Sequence, residues 1–207
     1  MILSNTERKR QRHESILLTL DRLGFATRSQ LQRLHNLKSA KNANRILRDM
    51  AEYLQFKRMQ EKIYYLSKEG RELIGSSKEQ KWGQNVEHTL MRNDLFIELG
   101  QPASWKNEPM VKIQYKEGLS FKELHFRPDA RFQKEKIHHF VEIDITQSMT
   151  ENKKKIEKYR EFYEYFKPTF GHVPVIVFYT TSTTRKARLQ EYMKGMSALV
   201  YCIDDLR

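Results

Sequence analysis

The chain has 207 residues, of which 38 are Lys or Arg and 26 are Asp or Glu, so its formal net charge is +12. Hydrophobic residues make up 39% of the chain, which is enough for a packed core and excludes wholesale disorder. A single cysteine excludes an internal disulfide framework, and no segment approaches the ~20 continuous apolar residues of a membrane span.

The excess of positive charge is concentrated in the first part of the chain. Residues 1–80 contain 17 basic and 9 acidic residues, whereas residues 81–207 contain 21 and 17. A compact basic segment suits a polyanion such as nucleic acid, although a well-solvated basic surface has the same composition. The N-terminal residues lack the apolar stretch of a signal peptide, so we expect a cytoplasmic protein that does not contact a membrane.

Residues 1–76 are predicted to form three helices followed by a β-hairpin. An apolar stripe predicts a helix over 6–23, Thr27 can cap a short second helix, and Ser39 can cap a third over 40–52. Residues 54–59 and 62–66 then predict two short strands. This order is typical of a winged helix-turn-helix, so we expect a DNA-binding domain over 1–76.

The third helix and the hairpin carry the residues that we expect to contact DNA. Arg and Lys suit phosphates and guanine, and Asn can pair with adenine. An ordinary solvated face, or a winged helix used for protein contacts, would also carry such residues. The candidate DNA-contacting residues are Lys38, Lys41, Asn42, Asn44, Arg45, Arg48, Lys57, Arg58 and Lys62.

A polar stretch near 75–81 has no periodicity and is interpreted as a linker to a second domain over 82–207. The predicted helices of that domain cover 82–99, 150–166 and about 184–194. The predicted strands cover 110–115, 124–132 (interrupted by Pro128), 137–145, 173–179 and 198–203. The chain as a whole is therefore expected to be α/β (α+β).

The predicted order α-β-β-β-α-β-α-β resembles the core of the PD-(D/E)XK restriction-endonuclease superfamily. Pro128-Asp129 lies at the second strand of the first three, and Glu142 lies near the end of the third. The resemblance implies that these two carboxylates hold a divalent metal, Mg²⁺ or Mn²⁺, which activates water and stabilises charge on the scissile phosphate. A Glu on the first helix often assists in the superfamily, and Glu98 has that position here.

The sequence departs from the superfamily pattern at one position. The lysine expected two residues after the second acid is replaced by Asp144, and Lys155 on the following helix is the candidate substitute. Glu142 and Asp144 point to the same face of a strand and could share one metal. The catalytic candidates are Asp129, Glu142 and Lys155, and the metal candidates are Glu98, Asp129, Glu142 and Asp144. The sequence is compatible with two functions for this domain: an active nuclease or nickase, or a fold that has lost catalysis and only binds or dimerises.

Short segments along most of the chain carry a further resemblance: Gln30-Leu31, Arg45–Met50, Ile63–Gly70, Asn85–His88 with Asn93, Arg127–Asp129, Val141–Asp144 and Lys155–Tyr159. With these segments in this order, the whole arrangement resembles the replication-relaxation proteins of Gram-positive plasmids, phages and integrative elements. The resemblance implies a protein of a mobile element that binds double-stranded DNA and acts in replication, DNA processing or their regulation. A transcriptional regulator or protein-interaction module without cleavage is the alternative. Because many winged-helix proteins are dimers on palindromic sites, we expect a homodimer.

Overall fold

The computed structural model describes residues 4–83 and 85–206. It is a mixed α/β structure that divides into two compact units, the first ending at Ile97 and the second beginning at Glu98. Within the described part of the chain, no helix combines the length and the apolarity that crossing a membrane requires.

Four helices of the first unit begin where a side-chain oxygen can cap them. Ser4, Thr27, Ser39 and Ser67 each accept a hydrogen bond from a backbone N–H of the first turn. These caps determine where the chain leaves its extended conformation. The elements are α1 (Asn5–Leu23), β1 (Ala26–Thr27), α2 (Arg28–Leu34), α3 (Ala40–Asp49), β2 (Leu54–Arg58), β3 (Lys62–Leu66), α4 (Lys68–Ile74) and α5 (Val86–Glu98).

The first unit packs its helices against a small antiparallel sheet with the order β1-β3-β2. Leu20 of α1, Leu31 of α2 and Ile46 of α3 belong to one buried cluster that also includes residues of β2 and β3. Helix α4 packs closely against the backbone of Tyr53, between α3 and β2. At Gly70 of this helix, a Cβ atom would lie 2.2 Å from the carbonyl oxygen of Tyr53. Glycine is therefore required at this position for the observed packing.

The helix that was predicted to open the second domain belongs to the first unit, except for its last residue. Gln30 Nε2 of α2 donates hydrogen bonds to the Leu90 carbonyl (2.8 Å) and to Asp94 Oδ1 (2.7 Å). Asn93 Nδ2, fully buried, donates to the Phe25 carbonyl at 2.6 Å. Because these hydrogen bonds join α5 to α2 and to Phe25, the boundary between the units lies after residue 97 and not at 76–82.

The stretch 75–81 has no regular secondary structure, as predicted, but a hydrogen bond and an ion pair connect it to α1. Ser76 Oγ donates a hydrogen bond to one carboxylate oxygen of Asp21, and Lys78 Nζ lies 3.1 Å from the other. Absence of periodicity correctly predicted a loop. Its contacts with a residue far away in the sequence make this loop part of the first unit and not a free linker.

The second unit contains a five-stranded sheet with the order β10-β9-β8-β7-β4. Strands β8, β9 and β10 are parallel, whereas β7 and β4 are antiparallel to their neighbours. The elements are β4 (Lys106–Asn107), β5 (Val111–Glu117), β6 (Ser120–Phe126), β7 (Ala130–Lys134), β8 (Ile137–Asp144), α6 (Met149–Phe170), β9 (Val175–Thr180), α7 (Thr183–Tyr192), β10 (Ala198–Cys202) and a 3₁₀ helix (Ile203–Leu206).

The three strands predicted before α6 do not form one sheet. The first of them, β5, pairs with β6 in a separate two-stranded sheet that turns at Gly118, where φ is +62°. Pro128 divides the predicted strand 124–132 into β6 and β7, because proline has no N–H for a sheet ladder. Val111 and Ile113 of this hairpin share a buried cluster with Phe162 of α6. The β5–β6 hairpin therefore packs against α6 and does not extend the five-stranded sheet.

Candidate functional site

The exposed face of α3 is polar and largely basic because its apolar residues point into the core. Ala43, Ile46 and Leu47 are buried, as the helical periodicity predicted. The residues that face solvent are Lys41, Asn44, Arg45 and Arg48, and Lys38 is exposed just before the helix.

Two of the predicted DNA-contacting residues on α3 are engaged within the protein. Asn42 is half-buried; its Nδ2 donates to the Leu37 carbonyl (2.9 Å), and its Oδ1 accepts from Arg45 Nη2 (3.0 Å). Arg45 also lies 3.6 Å from Asp49, which itself lies 3.4 Å from Lys9. Asn42 thus stabilises the turn before α3. Asp49 reduces the positive electrostatic potential near the C-terminal end of α3.

The hairpin β2–β3 places three further predicted residues, Lys57, Arg58 and Lys62, on its exposed surface. Lys62 Nζ lies 4.0 Å from the centre of the Phe56 ring, and Lys57 Nζ lies 5.0 Å from the centre of the Trp82 ring. These are cation–π distances. Between α3 and the hairpin runs a cleft whose lining includes Asn44 and Arg48 on one side and Phe56 and Lys62 on the other.

A second cluster of charged residues lies in the other unit, between β8 and α6. Glu142 is 3% exposed; its Oε2 accepts a hydrogen bond from Lys155 Nζ at 2.7 Å, and its Oε1 accepts from Tyr159 OH at 2.5 Å. Asp129 directly precedes β7, and its Oδ2 accepts from the backbone N–H of Ile143 at 2.7 Å. The structure therefore places Lys155, the candidate substitute lysine, against Glu142.

The environment of Glu142 changes its ionisation. Burial raises the pKa of Glu142 to about 7, against the opposing effect of the Lys155 ammonium, and the negative charge of Asp129 adds to the rise. Burial by itself would lower the pKa of Lys155, but the charge of Glu142 outweighs it and raises that pKa above the ordinary value. The cluster therefore contains an acid that ionises near neutral pH beside an amine that stays protonated.

Asp144 has a different environment from Glu142, although both point to the same side of β8. It accepts hydrogen bonds from Arg185 Nε (2.8 Å) and Nη2 (2.6 Å), from Asn152 Nδ2 (2.9 Å) and from Thr180 Oγ1 (2.8 Å). Burial raises the pKa of Asp144, but these hydrogen bonds outweigh it and hold the pKa below its usual value. Both carboxylate oxygens are occupied, so Asp144 is not placed to bind a metal.

The four carboxylates predicted as metal ligands are not brought together. Among residues 4–83 and 85–206, no three His, Cys, Asp or Glu side chains form a group that could hold a metal ion. Glu98 is exposed at the end of α5, and Asp144 is bound to its own partners. The negative charge of Asp129 adds to the rise that burial causes in the pKa of Glu142, so the two carboxylates interact electrostatically. Their oxygens are ligands of the kind that a divalent cation such as Mg²⁺ prefers.

Sequence reasoning missed most of the side chains that surround the two acids of β8. Tyr159 was predicted only as part of the apolar stripe of α6, and it is indeed buried. Its position one helical turn after Lys155 is a local signal that places both side chains on one face. Arg185, in contrast, lies 41 residues from Asp144, and no sequence pattern connects them.

The family model described as "Replication-relaxation" matches residues 17–176 of the chain. None of the curated proteins compared with the chain shows significant similarity to it. Among solved structures, protein VC1899 from Vibrio cholerae is similar over 100% of this chain and 55% of its own, with 14% sequence identity and a TM-score of 0.38. The chain thus spans about half the length of that protein.

Proposed function

Because the chain belongs to the replication-relaxation family, we propose that it is a DNA-binding protein of a mobile genetic element, acting in replication or DNA processing. In this proposal the first unit is a winged helix-turn-helix. Helix α3 enters the major groove of duplex DNA, and the hairpin β2–β3 is the wing that contacts the backbone.

The observation that carries this proposal is the cleft between α3 and the hairpin, with exposed cations on both sides. Arg48 and Asn44 lie on the helix side, where they are suited to guanine and adenine edges or to phosphate. Lys62 lies on the hairpin side, and Lys57 and Arg58 are exposed on the neighbouring strand. The order of elements from α1 to β3 also agrees with a winged helix.

Binding of labelled duplex DNA to the full chain, measured by fluorescence anisotropy over a range of salt concentrations, tests the proposal. If about six Lys or Arg side chains meet phosphates, the logarithm of the binding constant should fall with the logarithm of salt with a slope near −5. A slope near zero would overturn the proposal.

Single substitutions locate the interface. Arg48→Gln and Arg45→Gln should each weaken binding and make the salt slope about 1 less steep for every phosphate contact removed. Lys112→Gln is the matched control, because Lys112 is 59% exposed and lies in the second unit. If all three substitutions reduce affinity equally, net charge and not the α3 face determines binding.

The cluster of Asp129, Glu142 and Lys155 supports a second candidate function, that of a metal-dependent DNA nuclease or nickase. Asp129 and Glu142 would hold Mg²⁺ or Mn²⁺, and the bound ion would activate water and stabilise charge on the scissile phosphate. The chain's own contribution would be to position the Glu142 carboxylate, through the hydrogen bonds from Lys155 and Tyr159. Lys155 would also place a positive charge beside the reacting phosphate.

Incubation of supercoiled plasmid with the protein in Mg²⁺, Mn²⁺ or EDTA tests this second function, with products analysed after protein removal. Metal-dependent nicking that is lost in Asp129→Asn but retained in Asp205→Asn would support a nuclease. Asp205 is a suitable control because it pairs with Lys186 and follows β10, which β9 separates from β8 in the sheet. If the plasmid stays intact in every reaction while the protein still binds DNA, the nuclease function is contradicted and DNA binding is the function that remains.

The proposal includes a homodimer on a palindromic DNA site, since a two-fold symmetric protein matches two half-sites. Mass measurement of the protein–DNA complex on one half-site and on a two-half-site duplex tests this. Two copies on the longer duplex, bound cooperatively, are expected. Independent binding of single copies would contradict the dimer.

A further inference from the structure

A cavity of about 370 Å³ opens beside Glu142 in the second unit. Its size falls within the roughly 300–1,000 Å³ of small-molecule sites in proteins. Three aromatic rings, Phe126, Tyr159 and Phe162, form much of its lining. The charged side chains that line it are Arg127, Glu142, Lys155, Lys158 and Glu161.

The aromatic lining is held in place by its own packing. The Phe126 ring meets the Phe162 ring edge to face, with centroids 4.3 Å apart, and meets the Tyr159 ring in the same way at 5.0 Å. Phe126 nevertheless stays half-buried, so part of the side chain is accessible. A fixed and partly accessible aromatic ring is the kind of surface on which a nucleobase stacks.

The charged residues are placed to recognise the rest of a nucleotide. Lys155 and Glu142, in contact at 2.7 Å, supply a donor and an acceptor beside the aromatic lining. Lys158 is exposed on α6, close after Lys155 in the sequence. The side chain of Arg127 is 63% exposed; its Nε donates to the Glu108 carbonyl at 3.0 Å, and its Nη2 lies 3.6 Å from the exposed Glu108 carboxylate, which leaves part of the guanidinium for a phosphate. Both cations are therefore available to an anion at the cavity.

We propose that this cavity binds one nucleotide of a DNA strand that is unstacked from its neighbours. The base stacks against Phe126, the partly accessible ring of the lining, and the phosphate binds Lys158 and Arg127. This inference rests on the proposed DNA-binding function and adds a preference for unpaired DNA, because a base inside an intact duplex must first leave its stack. Glu161 carries negative charge into the same site and opposes the phosphate.

The test compares two labelled DNAs with the full chain in the presence of a chelator, which prevents metal-dependent cleavage. One is a blunt duplex, and the other is the same duplex with a short single-stranded thymidine extension. The extension should tighten binding about tenfold, in line with the stacking of a single base on an aromatic side chain.

Variants at exposed positions of α6 assign this gain to the cavity. Lys158→Gln should remove most of the gain, and Glu161→Gln should enlarge it. Lys153→Gln, an exposed substitution on the same helix outside the cavity lining, should leave it unchanged. Equal affinity of the wild type for both DNAs would overturn the inference, and so would equal losses in Lys153→Gln and Lys158→Gln.

The same data separate this inference from the proposed function. Affinity for the blunt duplex, and its loss in Arg48→Gln, reports on the first unit. The additional affinity for the extended duplex reports on the cavity. Titration with free dTMP provides a further distinction: Lys158-dependent dTMP binding without any preference for the extended DNA would assign the cavity to free nucleotides and overturn the DNA-strand proposal.

Discussion

The candidate DNA-contacting cations of the first unit and the acidic residues of β8 in the second unit differ in their exposure. In the first unit, cations such as Lys41 and Arg48 lie exposed on a helix whose other face is buried. In the second unit, two buried carboxylates of β8 each face a cation of the protein: Lys155 contacts Glu142, and Arg185 contacts Asp144. The net charge of the chain therefore does not indicate which unit meets a polyanion, because that depends on which cations are already bound within the fold.

The two carboxylates of β8 also differ from each other. Asp144 accepts four hydrogen bonds from three side chains and stays ionised, so its pair with Arg185 joins β8 to α7. Glu142 receives two such hydrogen bonds and lines a cavity. Burial raises the pKa of Glu142 to about 7, so this acid titrates near physiological pH, whereas the hydrogen bonds to Asp144 hold its pKa below the usual value and make its role structural.

The largest expected effect comes from breaking the pair between Asp144 and Arg185. In Arg185→Met the buried Asp144 carboxylate loses its cation, and the free energy of unfolding should fall by about 3–5 kcal/mol in chemical denaturation. Lys186→Met is the matched control, since its pair with Asp205 is more exposed and should contribute much less. Equal losses in the two variants would show that burial does not distinguish the two pairs.

A smaller effect is expected from the titration of Glu142. Its pKa rises from 4.5 to about 7 on folding, so the folded state binds a proton that the unfolded state has released. The stability of the wild type relative to Glu142→Gln should therefore fall as pH rises through this range, by up to about 3 kcal/mol. Urea denaturation of both proteins at several pH values measures this difference, and parallel pH profiles would contradict it.

The smallest expected effect on stability is at the surface of the first unit. Asp49→Asn removes an exposed partner of Lys9 and Arg45, so unfolding should change by less than about 1 kcal/mol. The same substitution should raise affinity for duplex DNA about threefold, because it removes a negative charge beside Arg45. Asp205→Asn changes the charge of the second unit equally and should leave that affinity unchanged. An unchanged affinity in Asp49→Asn would place the DNA away from this part of α3.

Local sequence signals were sufficient to locate most of the helices and strands. The caps Thr27, Ser39 and Ser148 begin helices as predicted, because capping needs only a side-chain oxygen and the next few N–H groups. The exposed face of α3 was predicted for the same reason, since helical periodicity decides which side chains point away from the core. Asn42 is an exception within that face, because a hydrogen bond to Leu37 engages its amide.

The grouping of these elements depended on contacts between residues far apart in the chain. Local patterns correctly predicted α5 and β5, but α5 joined the first unit through Gln30, and β5 formed its own hairpin with β6. The sequence by itself therefore determined the secondary structure and the basic face of α3, because both follow from neighbours within one or two helical turns. Only the tertiary structure decided the unit boundary and the ionisation of Glu142 and Asp144, because burial and hydrogen-bond partners from distant segments set the free energy of a buried charge.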